Sequence, residues 1–219
     1  MPRLLFEKTG NAIWVSHLDL MRIFQRAFKR AGLALTHSQG YNPRPSVSIA
    51  LPLSVGVESH CELLDFDLEG EIPSNDEILS RLNDALVEGV RGIRVYDDGA
   101  KIKHLSYLDC MVTLEYDHGI GDDTAAKLRT LFSQPELMVE KKGKNGITEQ
   151  NIAPMIRSMA VETMDSNTIA LRAMICCQNP TLNPAQLTAA IAKYLPECTP
   201  DFSKSTRLEV YDSNETIFR

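Results

Sequence analysis

The chain lacks any stretch approaching 18 consecutive apolar residues, the minimum for a membrane-spanning helix, so no membrane span is expected. Its opening residues, MPRLLFEKTGNAIW, hold no signal-peptide core and turn polar after Phe6, which points to a cytoplasmic setting. Cysteine is scarce: Cys61, Cys110, Cys176, Cys177 and Cys198 are an odd number with no CxxC or CxxxC spacing. The five histidines contain no i, i+4 pair. These shortages remove a self-contained zinc or iron–sulfur site, and no cofactor is expected. The cysteines then read as small hydrophobes. Walker A, GxGxxG, GxSxG and HExxH are missing as well.

Acidic residues are short in one place only. Residues 1–57 carry seven Lys/Arg against two Asp/Glu, a local charge of +5, while the whole chain stands at −6. The remainder therefore carries −11, which limits non-specific nucleic-acid binding but leaves room for a basic face that attracts phosphates.

What is present is an ordinary globular composition, 43% apolar and 24% charged. RLLFEK reads as a strand. Ser16 followed by Asp19 is a capping-box variant, Leu20, Phe24, Ala27, Phe28 and Ala31 recur at 3–4 spacing, and Gly32 closes the helix. SVSIALPLSVGVES is strand-like but interrupted by Pro52. CELLDFDLE alternates, with Leu64, Phe66 and Leu68 inward and Asp65 and Asp67 outward. Ser74 and Glu77 cap a second helix striped by Leu79, Leu82 and Leu86, and IRVYDD ends the half. The order β-α-β-β-α-β is the split βαβ, ferredoxin-like pattern.

After DDGAKIKHLS the pattern starts again. LDCMVTLEY alternates, with Cys110, Val112, Leu114 and Tyr116 on one face, and DDTAAKLRTLF is a short helix. ELMVEKKGKNGITEQ is a hairpin with Asn145-Gly146 at a type I′ turn. NTIALRAMICC is a strand, Asn183, Pro184 and Gln186 open a helix, and TRLEVYD is the last strand. The fold expected is α+β, two tandem ferredoxin-like halves with antiparallel sheets, residues 1–99 and 100–219.

The first helix carries Arg22, Arg26 and Arg30 at i, i+4, i+8, with Lys29 beside them. This is either a phosphate-tracking stripe or the solvated outer face of a packed helix; an ordinary solvated face mixes signs, which favours the stripe. SQGYNPRPS follows. Pro43 and Pro45 fix φ around Arg44, Gly40 permits a positive φ, and Asn42 before a proline is held extended. The expected result is a pre-ordered loop presenting His37, Gln39, Tyr41 and Arg44 at low entropic cost. A tyrosine to stack and an arginine for phosphate or a guanine edge suit single-stranded RNA. The competing account is a proline-stiffened edge that blocks sheet aggregation.

His17 and His37 could together cleave RNA by acid–base catalysis without a metal. However, a helix of about 15 residues holds its ends about 22 Å apart. The hairpin lysines, Lys141, Lys142 and Lys144, are solvated decoration or a second phosphate contact. Arg157, among apolar residues, is either a paired buried arginine or a ligand contact.

The stretch from Phe6 to Ser59 resembles the radical SAM-linked protein family, a domain of unknown function found alone or fused to B12-binding radical SAM proteins. The residues that carry it are Ser16-His17-Leu18-Asp19, Gly32-Leu33, Ser38-Gln39-Gly40-Tyr41-Asn42-Pro43-Arg44-Pro45 and Gly56-Val57-Glu58-Ser59. A weaker block runs from Ile147 to Met159, where the family pattern implies a basic residue at Ala153. The resemblance implies a radical SAM enzyme as partner and an accessory, substrate-presenting role. It adds Asp19 and Glu58, beside His17 and Arg157, to the candidate site. The expected substrate is RNA (tRNA or rRNA) or a nucleotide-like molecule, without membrane or DNA. The rival readings are the nuclease and a protein-interaction module that docks the enzyme without touching RNA.

Overall fold

The computed structural model describes residues 1–143 and 146–219; Asn145 of the expected turn, Lys144 and the Lys142 side chain lie outside the described residues. The fold is mixed, with four α-helices among the described residues and antiparallel strand pairings within each of two compact units. The first unit is Met1–Ile102 with Arg219, and the second is Lys103–Phe218.

In the first unit the chain runs β1 (Arg3–Lys8), α1 (His17–Arg30), β2 (Val47–Ala50), β3 (Glu58–Phe66), α2 (Asn75–Ala85) and β4 (Val90–Tyr96). The strands stand in the order β4-β1-β3-β2. Leu4 and Phe6 of β1, Leu64 and Phe66 of β3, Ile49 of β2 and Val90 and Val95 of β4 share one core with both helices. That core buries Leu20, Phe24, Ala27 and Phe28 of α1, as the 3–4 spacing demands. Phe6 meets Phe24 edge-on at 4.8 Å between centroids, and Phe28 meets Phe66 at 4.9 Å.

Two expectations shift here. On α2 the deeply buried residues are Ile78 and Leu82, while Leu79 and Leu86 pack at the margin. The buried side is therefore turned from the leucine stripe towards Ile78, with Leu82 common to both. The long strand-like run after the loop pairs only at Val47–Ala50, because Leu51 takes a positive φ of 48° and Pro52 can donate no ladder bond.

The opposite sheet face carries a cross-strand ion pair. Arg3 and Asp65 are direct register partners. Arg3 Nε and Nη2 donate to the two Asp65 carboxylate oxygens at 2.6 and 3.1 Å, and Nη1 donates to Ala100 O at 3.0 Å. Asp65 was expected to face solvent; instead it holds a buried arginine. The fork also fixes the chain beyond β4, where a Cβ on Gly99 would stand 2.9 Å from Arg3 Cζ.

The second unit runs β5 (Leu105–Glu115), α3 (Thr124–Phe132), β6 (Met138–Gly143), β7 (Gly146–Asn151), β8 (Ile156–Thr163), β9 (Thr168–Cys176), α4 (Ala185–Tyr194) and β10 (Phe202–Asp212). Its sheet order is β10-β5-β9-β8, and β6–β7 forms a hairpin of its own. Cys110, Val112, Leu114 and Tyr116 are buried on one face as their alternation requires. β8 was not foreseen. Val161 is its only fully buried residue, so the strand leaves no alternation to read. Arg129 of α3 donates to Val161 O at 2.8 Å, which ties the helix to that strand. No helix among the described residues is long and apolar enough to cross a membrane.

Replacing Arg3 by alanine strands a half-buried carboxylate. Arg3→Ala should lower the unfolding free energy by about 3 kcal/mol, read as a reduced urea midpoint at unchanged m-value. Arg3→Lys should recover only part of the loss, because an ammonium cannot make the two-pronged contact.

Candidate functional site

α1 is held at both ends by its own sequence. At the N-terminus Asp19 N–H donates to Ser16 Oγ at 3.2 Å, and the Ser16 hydroxyl donates to Asp19 Oδ2 at 2.7 Å. Arg22 closes on Asp19 Oδ1 at 2.7 Å. The Ser16 hydroxyl first, and then the Arg22 guanidinium, hold the Asp19 carboxyl below the usual carboxylate range. Just upstream, the buried Lys8 ammonium donates to Ile13 O at 3.0 Å; burial lowers its pKa and the Glu62 charge works against that. At the C-terminus Leu33 N–H donates to Phe28 O at 2.9 Å and Gly32 N–H to Lys29 O at 3.2 Å. Gly32 reaches φ +67°, the left-handed turn this closing pattern needs, and Leu33 re-enters the core beside Phe28.

That turn launches the SQGYNPRP segment as a hairpin. Ser46 N–H donates to Thr36 O at 2.8 Å, Ser38 N–H to Arg44 O at 2.8 Å, and Arg44 N–H to Ser38 Oγ at 3.0 Å, with His37 bridged to Pro45. The base is pinned to the chain leaving β3: Thr36 N–H donates to Asp67 O, Asp67 N–H to Ser46 O and Glu69 N–H to Ala34 O, at 2.9–3.0 Å. Residues 39–43 form the tip, where Gly40 takes φ +136°. His37, Gln39, Tyr41, Asn42 and Arg44 are all exposed, and nothing covers the Tyr41 ring.

The basic stripe divides. Arg22 is bound to Asp19, and Arg30 donates to Ala85 O across to α2. Arg26 and Lys29 are exposed, and their side chains are, among the described residues, free of any hydrogen bond or ion pair. Lys29 lines a cleft of ≈ 390 Å³ between α1 and the hairpin, with Gln25, Leu33, Ala34, Leu35, His37, Pro45 and Glu69. The structure thus brings Lys29 and His37 to one cleft, and the hairpin that carries His37 also exposes Tyr41 and Arg44. Two members of this cleft, Gln25 and Glu69, were missed. Gln25 sits one turn before Lys29, a spacing the sequence does offer. Glu69 arrives through the Ala34 backbone contact, which no local pattern announces.

The other candidates lie apart. His17 is the first residue of α1, at the far end of a 14-residue helix from the hairpin. Its Nδ1 is enclosed and has no hydrogen-bond partner among the described residues. Glu58 is half-buried at the start of β3. Arg157 lies on β8 of the second unit, exposed, and Nε donates to Glu215 Oε1 at 2.6 Å, a contact that raises its pKa. Burial pushes the Cys110 and Cys177 thiols up to about 12, so neither supplies a thiolate nucleophile. Near the start of α1, Trp14 is 64% and Leu18 67% exposed; the Trp14 ring lies close to Gly56, next to exposed Val55.

Residues 2–184 match the family described as an uncharacterized protein conserved in bacteria (DUF2344). The chain belongs to this family. No curated protein matches it. Among solved structures it is similar to a chain of a Cbf5–Nop10–Gar1 complex, with a TM-score of 0.52 at 8% identity. The likeness covers 95% of this chain but only 48% of that one, and at this identity it speaks to the fold alone. An unknown protein from Galdieria sulphuraria aligns over 94% of this chain and 96% of its own, at 11% identity and a TM-score of 0.26.

The Ser16–Asp19 cap orients the basic helix and has a pH signature. The folded Asp19 pKa is lowered, so its stabilisation is present above its unfolded value of about 3.9 and is lost as pH falls through the folded value. Ser16→Ala should cost about 1 kcal/mol at neutral pH. In urea titrations the gap from wild type should narrow in acid, below the folded pKa of Asp19.

Proposed function

We propose that this protein binds single-stranded RNA and presents it to a radical SAM enzyme. The observation that carries the RNA reading is a backbone-braced hairpin that exposes Tyr41 and Arg44, next in the chain to a helix whose Arg26 and Lys29 side chains have no partner among the described residues. An unpaired cation keeps its full charge for a phosphate, and an uncovered tyrosine on a braced loop stacks on a base at little ordering cost. The enzyme partner rests on the resemblance of residues 6–59. A nuclease centred on His17 and His37 has less support, because a 14-residue α-helix separates its ends by about 21 Å.

The two units are further inferred to be tandem ferredoxin-like halves. β4-β1-β3-β2 and β10-β5-β9-β8 become the same order when β5, β8, β9 and β10 are set against β1, β2, β3 and β4. The β6–β7 hairpin is then an insertion between the first helix and second strand of the second half.

A labelled single-stranded oligonucleotide and total tRNA should bind at about 50 mM salt and weaken steeply towards about 200 mM. Tyr41→Ala/Arg44→Ala should lose roughly tenfold or more, since each stacked base contributes about 1–3 kcal/mol. Arg26→Gln/Lys29→Gln should flatten the slope of log K against log salt by about 1.4, about 0.7 for each phosphate left without its cation. Absence of binding at the lower salt removes the RNA reading.

One observation favours a protein-docking role as well: Trp14, Leu18 and Val55 are exposed near the start of α1, and the Trp14 ring lies against Gly56, the neighbour of Val55. Trp14→Ala should abolish co-purification with a co-expressed radical SAM partner while leaving RNA affinity unchanged. Loss of both would place RNA and enzyme on one surface.

A further inference from the structure

The cleft between α1 and the hairpin has a floor of Leu33, Leu35 and Pro45 and a rim of four polar side chains: Gln25, Lys29, His37 and Glu69. Among the described residues none of the four makes a side-chain hydrogen bond or ion pair. Charged neighbours elsewhere on this unit do pair: Arg22 with Asp19, Arg81 with Glu77, Arg3 with Asp65. A volume of ≈ 390 Å³ falls within the range of small-ligand sites, roughly 300–1,000 Å³, and an apolar floor with a few convergent polar groups is their usual construction.

We infer that this cleft takes one unstacked guanine base, with Glu69 as the group that selects it. The inference deepens the RNA reading and rests on it for the source of the base, an RNA chain and not a free nucleotide. Glu69 is a carboxylate, able only to accept, with two oxygens side by side. Guanine alone among the four bases presents two adjacent donors, N1–H and N2–H₂, on its Watson–Crick edge. Adenine and cytosine would set a ring-nitrogen acceptor against the carboxylate, and uracil flanks its single N–H with two carbonyl acceptors. The complementary donors are in place for the rest of the base: Lys29 has only donors and Gln25 has an amide NH₂, which suit the O6 and N7 acceptors of guanine. Leu33, Leu35 and Pro45 cover a ring face, while Tyr41 at the hairpin tip and Arg44 beside it are left for the neighbouring nucleotide.

The test uses the full chain and uridine-rich labelled octamers that differ only in a central G, A, C or U, with 5′-GMP followed separately by protein NMR shifts. The G octamer should bind roughly tenfold or more tightly than the other three, the discrimination of one good two-point contact. Glu69→Gln should erase that preference and leave affinity for the all-U octamer unchanged, because the substituted amide sets its own donors against those of guanine. Equal binding of all four octamers, unaltered by Glu69→Gln, overturns the guanine inference and leaves the RNA reading standing. If no octamer binds but 5′-GMP shifts the cleft resonances and Glu69→Gln abolishes the shifts, the cleft does recognise guanine and the source is a free nucleotide. If neither octamers nor 5′-GMP bind, both readings fail together.

Discussion

Two aromatic contacts, Phe6 on Phe24 and Phe28 on Phe66, set how α1 is rolled on its sheet, and the candidate site follows from that roll. Successive helix residues are about 100° apart, so burying 20, 24, 27 and 28 leaves 22, 25, 26 and 29 turned outward. Each aromatic pair contributes about 0.5–1.5 kcal/mol beyond its burial, and all four rings are fully enclosed. A helix rolled by one residue would carry Lys29 about 100° around its axis, away from the cleft, and would expose a phenylalanine. The apolar side of the helix therefore determines the address of its charges.

Charge alone would not have distinguished the residues of that outer face. Arg22, Arg26, Lys29 and Arg30 look equivalent in the sequence, yet their surroundings sort them into two kinds. Arg22 serves the helix cap, and Arg30 serves the packing of α1 on α2 by donating to the last carbonyl of α2. Both spend their donors within the fold. Arg26 and Lys29 make no side-chain hydrogen bond or ion pair among the described residues, and Lys29 lines the cleft.

The sequence makes the local elements of this site legible because the signals that encode them are local. Ser16 with Asp19, Gly32 after the helix, and the prolines around Arg44 each act within a few residues, and each appears in the structure where its spacing placed it. Long-range facts were not legible. Asp65 reads as a solvated alternation until its register with Arg3 is known, and Glu69 enters the site only because its backbone pairs with Ala34. β8, exposed along nearly its whole length, has no alternating pattern for a reader to detect. The β6–β7 hairpin was visible as a hairpin, but its separation from the main sheet depends on pairings that no single segment specifies.

The hairpin also accounts for how a site of few residues could act without a deep pocket. A loop that orders on binding must give up part of its interaction energy to conformational entropy, of order 1 kcal/mol for each residue fixed. Here the cost is met during folding. Backbone bonds join 36 to 46 and 38 to 44, the chain after β3 braces the base, and two prolines restrict the arm near its tip. Tyr41 and Arg44 are thereby held exposed to solvent, where an unbraced peptide of the same sequence would collapse or disperse. The same bracing explains why the polar side chains around the cleft can stand without partners among the described residues: the backbone supplies the stability, so the side chains are not needed to hold the walls together. The braced hairpin, the Gln25–Lys29 side of α1 and an apolar floor meet at one cleft, with Glu69 brought in from the chain after β3, and the first unit contains every element that builds it.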